Sequence, residues 1–261
     1  MGSPATIFGI STGAMVCWMT NERILMSNVS FSRLLQASTT AALIQGVVDG
    51  SVPSSLLLGS GNFGLGTFEH LDGEMVILNG NIYQICADGE IKHRLDKFMV
   101  PLAQVCDFNS EQTCSFREIA NLDHLETACD LCRTSDNLFY AFRIDATFDC
   151  IRARTVRTSP HEVSLESAGA DEVKFSWTDI SGSIVGFWSP AYSSSFSVPG
   201  YHFHFISDDR KNGGHLLDCS LRRASPHVQV LNEFEVVLPT TGRFLSVDLN
   251  IDTRSVLRKV E

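Results

Sequence analysis

Two apolar runs around a turn give the clearest pattern in the chain. Glu74-Met75-Val76-Ile77-Leu78 leads into Asn79-Gly80 and returns as Asn81-Ile82-Tyr83-Gln84-Ile85. Both turn residues tolerate positive φ, so the pattern predicts a β-hairpin. Upstream, Ser38 to Gly50 reads as a capped helix closed by its glycine, and Ser55 to Leu58 as a further helical turn. From Leu122 the apolar positions Leu122, Leu125, Ala128, Cys129 and Cys132 recur at helical spacing and predict an amphipathic helix. Two strands follow, roughly Leu138 to Ile144 and Phe148 to Val156, and the period of two puts Cys150, Arg152 and Arg154 on one face.

Beyond residue 174 the pattern is mostly strand: Gly182 to Trp188, Tyr201 to Leu221 and Val228 to Leu238. Strands mixed with a few helices, without regular βαβ alternation, predict an α+β fold. The polar stretch His161 to Lys174, containing Gly169, is the best candidate for a boundary within the unit spanning residues 1–261. It would divide the unit into lobes of about 30–160 and 170–261, with the active site between them.

The segment Gly200-Tyr201-His202-Phe203-His204-Phe205-Ile206 changes the picture from fold to chemistry. On an extended strand His202 and His204 point to one side, while Tyr201, Phe203 and Phe205 point to the other, where they can enter a core. The turn-forming stretch Ser207 to Gly214 returns the chain so that His215 can join the pair. Three imidazoles that leave a coordination position open match the ligand pattern of catalytic zinc, whereas structural zinc usually closes a fourth protein ligand. This places a metal site on a β-hairpin in the C-terminal half. The same residues also fit two strand histidines and a loop histidine with no metal.

Composition narrows the partners. The chain has 261 residues, 44% apolar and 19% charged, and a formal net charge of −10. That balance argues against nucleic acid, whose binding rests on clustered Lys and Arg. No apolar run reaches the roughly 18 residues of a membrane helix, and no secretory leader pattern stands at the N-terminus. The expectation is a cytoplasmic protein whose eight cysteines are thiols. The sequence leaves a homodimer open. Cys129 and Cys132 have the spacing of a redox or zinc pair, but both fall on the apolar helix face and read as core. Gly59 to Gly66 lacks the ending of a P-loop. His70, His93, His124, His161 and His227 lack ligand spacing.

Several blocks together resemble the alpha-acetolactate decarboxylase family. They are Gly64-Leu65-Gly66-Thr67-Phe68 running into Leu71-Asp72-Gly73-Glu74-Met75, Tyr83-Gln84, Arg152-Ala153-Arg154-Thr155-Val156, Val185-Gly186-Phe187-Trp188, and Gly200 to Asp209 with Gly213-Gly214-His215. The resemblance runs in order from about Leu34 to the C-terminus. It implies two packed mixed β-sheets with a few helices, and zinc-dependent conversion of 2-acetolactate to acetoin and carbon dioxide. It further implies His202, His204 and His215 as ligands of Zn2+, Glu74 as an active-site glutamate, Arg154 as an active-site arginine and Thr67 as a nearby hydroxyl. A glutamate from the C-terminal tail also belongs to the family pattern, and spacing assigns it to Glu261. The chain departs from the pattern in its first 30 or so residues, in Arg152 where a lysine is expected, and in its many cysteines.

The implied chemistry suits these residue types. Loss of carbon dioxide from acetolactate leaves an enediolate, and a metal chelating the ketone and hydroxyl oxygens stabilises its charge. Arginine is a planar, permanently charged partner for a carboxylate, and a glutamate can return a proton to carbon. By residue type alone, Glu74 and Arg154 also read as solvent-facing strand residues. Two other functions fit a three-histidine site: a hydrolase using metal-bound water, and a zinc-stabilised binding protein without activity.

Overall fold

The central strands of the first sheet are apolar on both faces because that sheet is covered on both sides. In the hairpin strand, Val76 and Leu78 join the core between two sheets, while Met75 and Ile77 join a second core on the opposite face. The fold is seen in a computed structural model that describes residues 31–110, 112–158, 171–253 and 256–257.

In chain order the elements are β1 (Arg33–Ala37), α1 (Thr40–Ile44), β2 (Val52–Pro53), α2 (Ser54–Ser60), β3 (Phe63–Thr67), β4 (Glu74–Leu78), β5 (Asn81–Ile85), β6 (Ile91–Arg94), β7 (Met99–Val100), β8 (Leu102–Cys106) and β9 (Phe116–Ile119). Then follow α3 (Leu122–Asp130), β10 (Phe139–Val156), β11 (Glu172–Ser189), β12 (Gly200–Ser207), β13 (Gly213–Ala224), β14 (His227–Leu231), β15 (Glu233–Val237) and α4 (Gly242–Ser246). Short helices among many strands make this a mostly β fold of packed sheets.

The first sheet has the order β15-β1-β8-β3-β4-β5-β6 and is mixed, since β15 runs parallel to β1 while the other neighbours are antiparallel. The second has the order β14-β10-β11-β12-β13-β9, and β10 also pairs with β13. Its four strands β10, β11, β12 and β13 therefore pair in a closed ring. Leu34, Phe63, Leu65, Val76 and Ile85 of the first sheet meet Phe139, Ala141, Val185, Phe187 and Ile206 of the second in one core. The opposite side of the second sheet packs Phe142, Phe148, Phe203 and Phe205 with Leu125 and Cys129 of α3. No described helix is long and apolar enough to cross a membrane.

The 74–85 hairpin forms with the expected register, Leu78 opposite Asn81, and Asn79 and Gly80 take φ values of 53° and 74°. The helix expected over Ser38 to Gly50 is shorter. It spans five residues, is capped by the Thr39 side chain accepting from Ala42 N, and stops before Gly46, which takes a φ of 75°. Phe139–Val156 is one strand where two were expected, because Asp145 to Thr147 stay paired with Ser181 to Ser183. Of the expected boundary His161 to Lys174, residues 161–170 lie outside the described residues. Glu172 and Lys174 belong to β11, opposite Val156 and Arg154 of β10.

The expectation of thiols throughout is corrected at one pair. Cys114 and Cys132 form a disulfide with their Cα atoms 6.3 Å apart, because α3 packs against β9 and brings the residue after the helix to the residue before the strand. Cys86, Cys106, Cys129, Cys150 and Cys219 are free, and Cys129 is a core residue as read from its helix face.

Candidate metal centre and active site

Strand parity aims the site residues into the space between the sheets. Glu74 shares the face of Val76 and Leu78, and Thr67 that of Phe63 and Leu65, all of them core residues between the sheets. Thr67 and Glu74 are directly opposite each other in the β3–β4 pairing. From the other sheet, His202 and His204 share the face of Ile206, while Phe203 and Phe205 enter the far core.

The third imidazole arrives through the β12–β13 hairpin, which pairs His204 with His215. A register shift between β10 and β13 then places His215 opposite Arg154. Glycine is required at position 214, where φ is 147° and a Cβ would lie 2.5 Å from the Arg154 carbonyl oxygen. The three rings stand 5.0, 5.2 and 5.4 Å apart between centroids, and each offers a nitrogen within 4.8 Å of the others'.

These donors fit a cation. His204 is fully buried and donates Nδ1–H to the Met75 carbonyl at 2.8 Å, which leaves Nε2 with its lone pair. That Nε2 has no hydrogen-bond partner among the described residues and faces Glu74 Oε2 at 3.4 Å. Two lone pairs facing one another in a buried site repel, and a cation between them reverses the sign. Burial also keeps the imidazoles neutral, as ligands must be. Burial, then the neighbouring His204 and Arg154, hold His202 well below the usual imidazole range. Burial and Arg154 lower His215 likewise. For His204, burial outweighs the Met75 hydrogen bond and brings the pKa to about 4.

A cavity of about 70 Å³ opens beside the imidazoles, lined by Thr67, Glu74, Arg154, His202 and His215 and walled by Leu43, Leu71, Leu102, Val156, Val198 and Leu257. Thr67 donates its hydroxyl hydrogen to the Gly73 carbonyl at 2.8 Å, so other groups meet only its lone pairs. Leu71 reaches the cavity from a turn in which His70, Leu71 and Gly73 take φ of 59°, 57° and 90°. Gln84 Nε2 clamps this turn through the Asp72 carbonyl at 2.6 Å. Arg154 is held by Glu172, Nη1 to Oε2 at 3.0 Å, with Lys174 on the other carboxylate oxygen at 2.7 Å. Burial raises the Glu172 pKa, but the hydrogen bonds from Lys174 and Arg154 outweigh it and leave it lowered.

Of the residues expected at the site, His202, His204, His215, Glu74, Arg154 and Thr67 come together. Glu261 lies outside the described residues. Arg152 is at the surface, paired with Asp218 at 2.9 Å. Glu172 and Leu257 were not legible in the sequence: Glu172 sits in the polar stretch read as a boundary, and Leu257 in a tail with no distinctive pattern.

Neutral buried imidazoles make the metal-free protein acid-sensitive. Their folded pKa values lie below the unfolded value of about 6.5, so below that pH the unfolded chain binds protons the folded one does not. Stability is complete above about pH 6.5 and falls toward the folded values, with His204 alone contributing roughly 3 kcal/mol if its pKa is about 4. Urea unfolding of chelator-treated protein at pH 7.5 and pH 5 is expected to show part of this loss, about 2 kcal/mol from His204, which is absent in a His204→Ala variant. Equal losses in both proteins would contradict it.

Comparisons with known proteins bear on this arrangement. The family described as alpha-acetolactate decarboxylase matches residues 34–251. The chain is 38% identical over 237 residues to the alpha-acetolactate decarboxylase of Methanosarcina mazei, covering 90% of this chain and 82% of that one. It is 35% identical over 230 residues to that of Methylococcus capsulatus, covering 87% and 88%. The crystal structure of alpha-acetolactate decarboxylase from Bacillus subtilis strain 168 superposes with a TM-score of 0.84 at 30% identity, covering 88% of this chain and 99% of the other.

Proposed function

The chain belongs to the alpha-acetolactate decarboxylase family and its reaction is the decarboxylation of acetolactate, and from that premise we propose that His202, His204 and His215 hold a zinc ion beside which Glu74, Arg154 and Thr67 act on the substrate. The observation that carries the reading is the buried His204 Nε2 facing the Glu74 carboxylate among three converging imidazoles. Bound there, zinc supplies Lewis acidity for the negative charge that develops on the ketone and hydroxyl oxygens of the substrate.

The protein groups divide the remaining work. Arg154, fixed by Glu172, orients the substrate carboxylate through its guanidinium fork. Thr67 accepts the hydrogen of the substrate hydroxyl. The apolar wall around Leu71, Leu102 and Val156 faces the methyl groups and keeps water from the carbon that loses carbon dioxide. Glu74 delivers a proton to that carbon from one side and so sets the handedness of acetoin. Glu261 belongs to the proposal as a second carboxylate, since Leu257 of the same tail lines the cavity. The site of the single unit is proposed to lie between its two sheets, each of which takes strands from both sides of the stretch expected as a boundary between lobes of about 30–160 and 170–261.

Product analysis tests the reaction class. In heavy water, acetolactate is expected to give acetoin and carbon dioxide in equal amounts, with one deuterium at the new C–H bond. Consumption of water into the product would favour a metal-dependent hydrolase and overturn the assignment.

Arg154 gives a second test through Glu172. Glu172→Gln weakens the grip on the guanidinium and is expected to reduce kcat/KM by roughly 10- to 100-fold, mostly through KM, with the melting temperature little changed. A loss confined to kcat would contradict an orienting role.

A further inference from the structure

Beyond Thr40, Leu102 and Val198 the active-site cavity narrows into an inner chamber of about 10 Å³. His202 forms part of its wall, and Gln36, Thr40 and Gln104 supply its other polar side chains. All three are buried, with exposures of 1%, 1% and 4%. Such groups need partners.

Each polar group at the chamber has a definite share of hydrogens and lone pairs. Gln104 sends Nε2 hydrogens to Ser189 Oγ at 3.4 Å and Ser197 Oγ at 3.3 Å, which leaves Oε1, an acceptor. Ser197 donates to Gln36 Oε1 at 3.3 Å, and Gln36 Nε2 donates one of its two hydrogens to the Ala37 carbonyl at 3.3 Å and keeps the other. Thr40 commits its only hydroxyl hydrogen to the Phe196 carbonyl at 2.9 Å and keeps lone pairs. His202, as a neutral ligand through one nitrogen, carries its proton on the other and is a donor. Two donors, His202 and Gln36, and two acceptors, Thr40 and Gln104, around a space for one small molecule are the complement of water, which can accept two hydrogen bonds and donate two.

We propose that the inner chamber binds one ordered water, which accepts the ring N–H of His202 and donates to Thr40 Oγ1 and Gln104 Oε1. Thr40 and Gln104 are then positioning residues: through the water they fix the orientation and basicity of a metal ligand they do not touch. His204 gets the same service directly from Met75. This inference rests on the proposed reading of the histidines as zinc ligands.

Zinc affinity of the full-length protein, measured by competition with a chelating dye, tests it in wild type, Thr40→Val, Gln104→Met and Thr40→Ser. The valine and methionine variants are expected to bind zinc about 10- to 100-fold more weakly, whereas serine, which keeps the hydroxyl, stays within about twofold. A crystal structure of the zinc-loaded wild type is expected to show a water about 3 Å from the non-ligating nitrogen of His202. Folded valine and methionine variants that bind zinc as tightly as wild type, or a chamber without that water, would overturn the proposal. Wild-type protein that takes up no zinc would overturn the reading of the metal centre itself, and this inference with it.

Discussion

Replacing His204 with alanine is expected to remove the metal and lower acetoin formation by at least roughly 1,000-fold, because it takes away one of three imidazole ligands, the one whose ring is held in place by a backbone carbonyl. His204 is the most deeply placed of the three: it is fully buried, its ring is aimed by the Met75 carbonyl, and its free nitrogen is 3.4 Å from Glu74. Metal content by atomic emission and activity should fall together while the far-ultraviolet circular dichroism stays that of the wild type. Full zinc occupancy in the variant, or activity near wild type, would remove His204 from the centre.

Glu74→Gln is expected to separate binding from chemistry. The amide preserves size and one acceptor but has no proton to give, so kcat should drop by roughly 100- to 10,000-fold, the span of general acid–base contributions. Zinc should be retained, and the small amount of acetoin still formed should lose its excess of one enantiomer, since protonation would come from solvent. Unchanged stereochemistry at reduced rate would show that another group delivers the proton. Glu74 sits opposite Thr67 and faces the imidazoles across the gap between the sheets, so its position is compatible with delivery from one side only.

Much of this arrangement was written in residue types. His202 and His204 are two apart on a strand whose intervening aromatics demand a core, so their shared face followed from parity, and the turn into His215 followed from Ser207 to Gly214. The Asn79-Gly80 hairpin was equally legible because its backbone requirement is local. What escaped was decided by distant partners. Whether Glu74 faces solvent or the site depends on the second sheet, which covers the face it shares with Val76 and Leu78. The grip of Glu172 on Arg154 depends on β11 returning alongside β10, and no motif announces that pairing. The length of β10 was hidden because Asp145, Ala146 and Thr147 look like a break until β11 pairs with them. The Cys114–Cys132 bond depends on α3 lying against β9, again a tertiary contact.

Acetoin formation from racemic acetolactate, before and after chelation and with zinc restored, tests the central claim most directly. The expected result is activity that the chelator abolishes and stoichiometric zinc recovers. Acetoin produced at an undiminished rate by folded, metal-free protein would contradict the metal centre as the seat of the reaction.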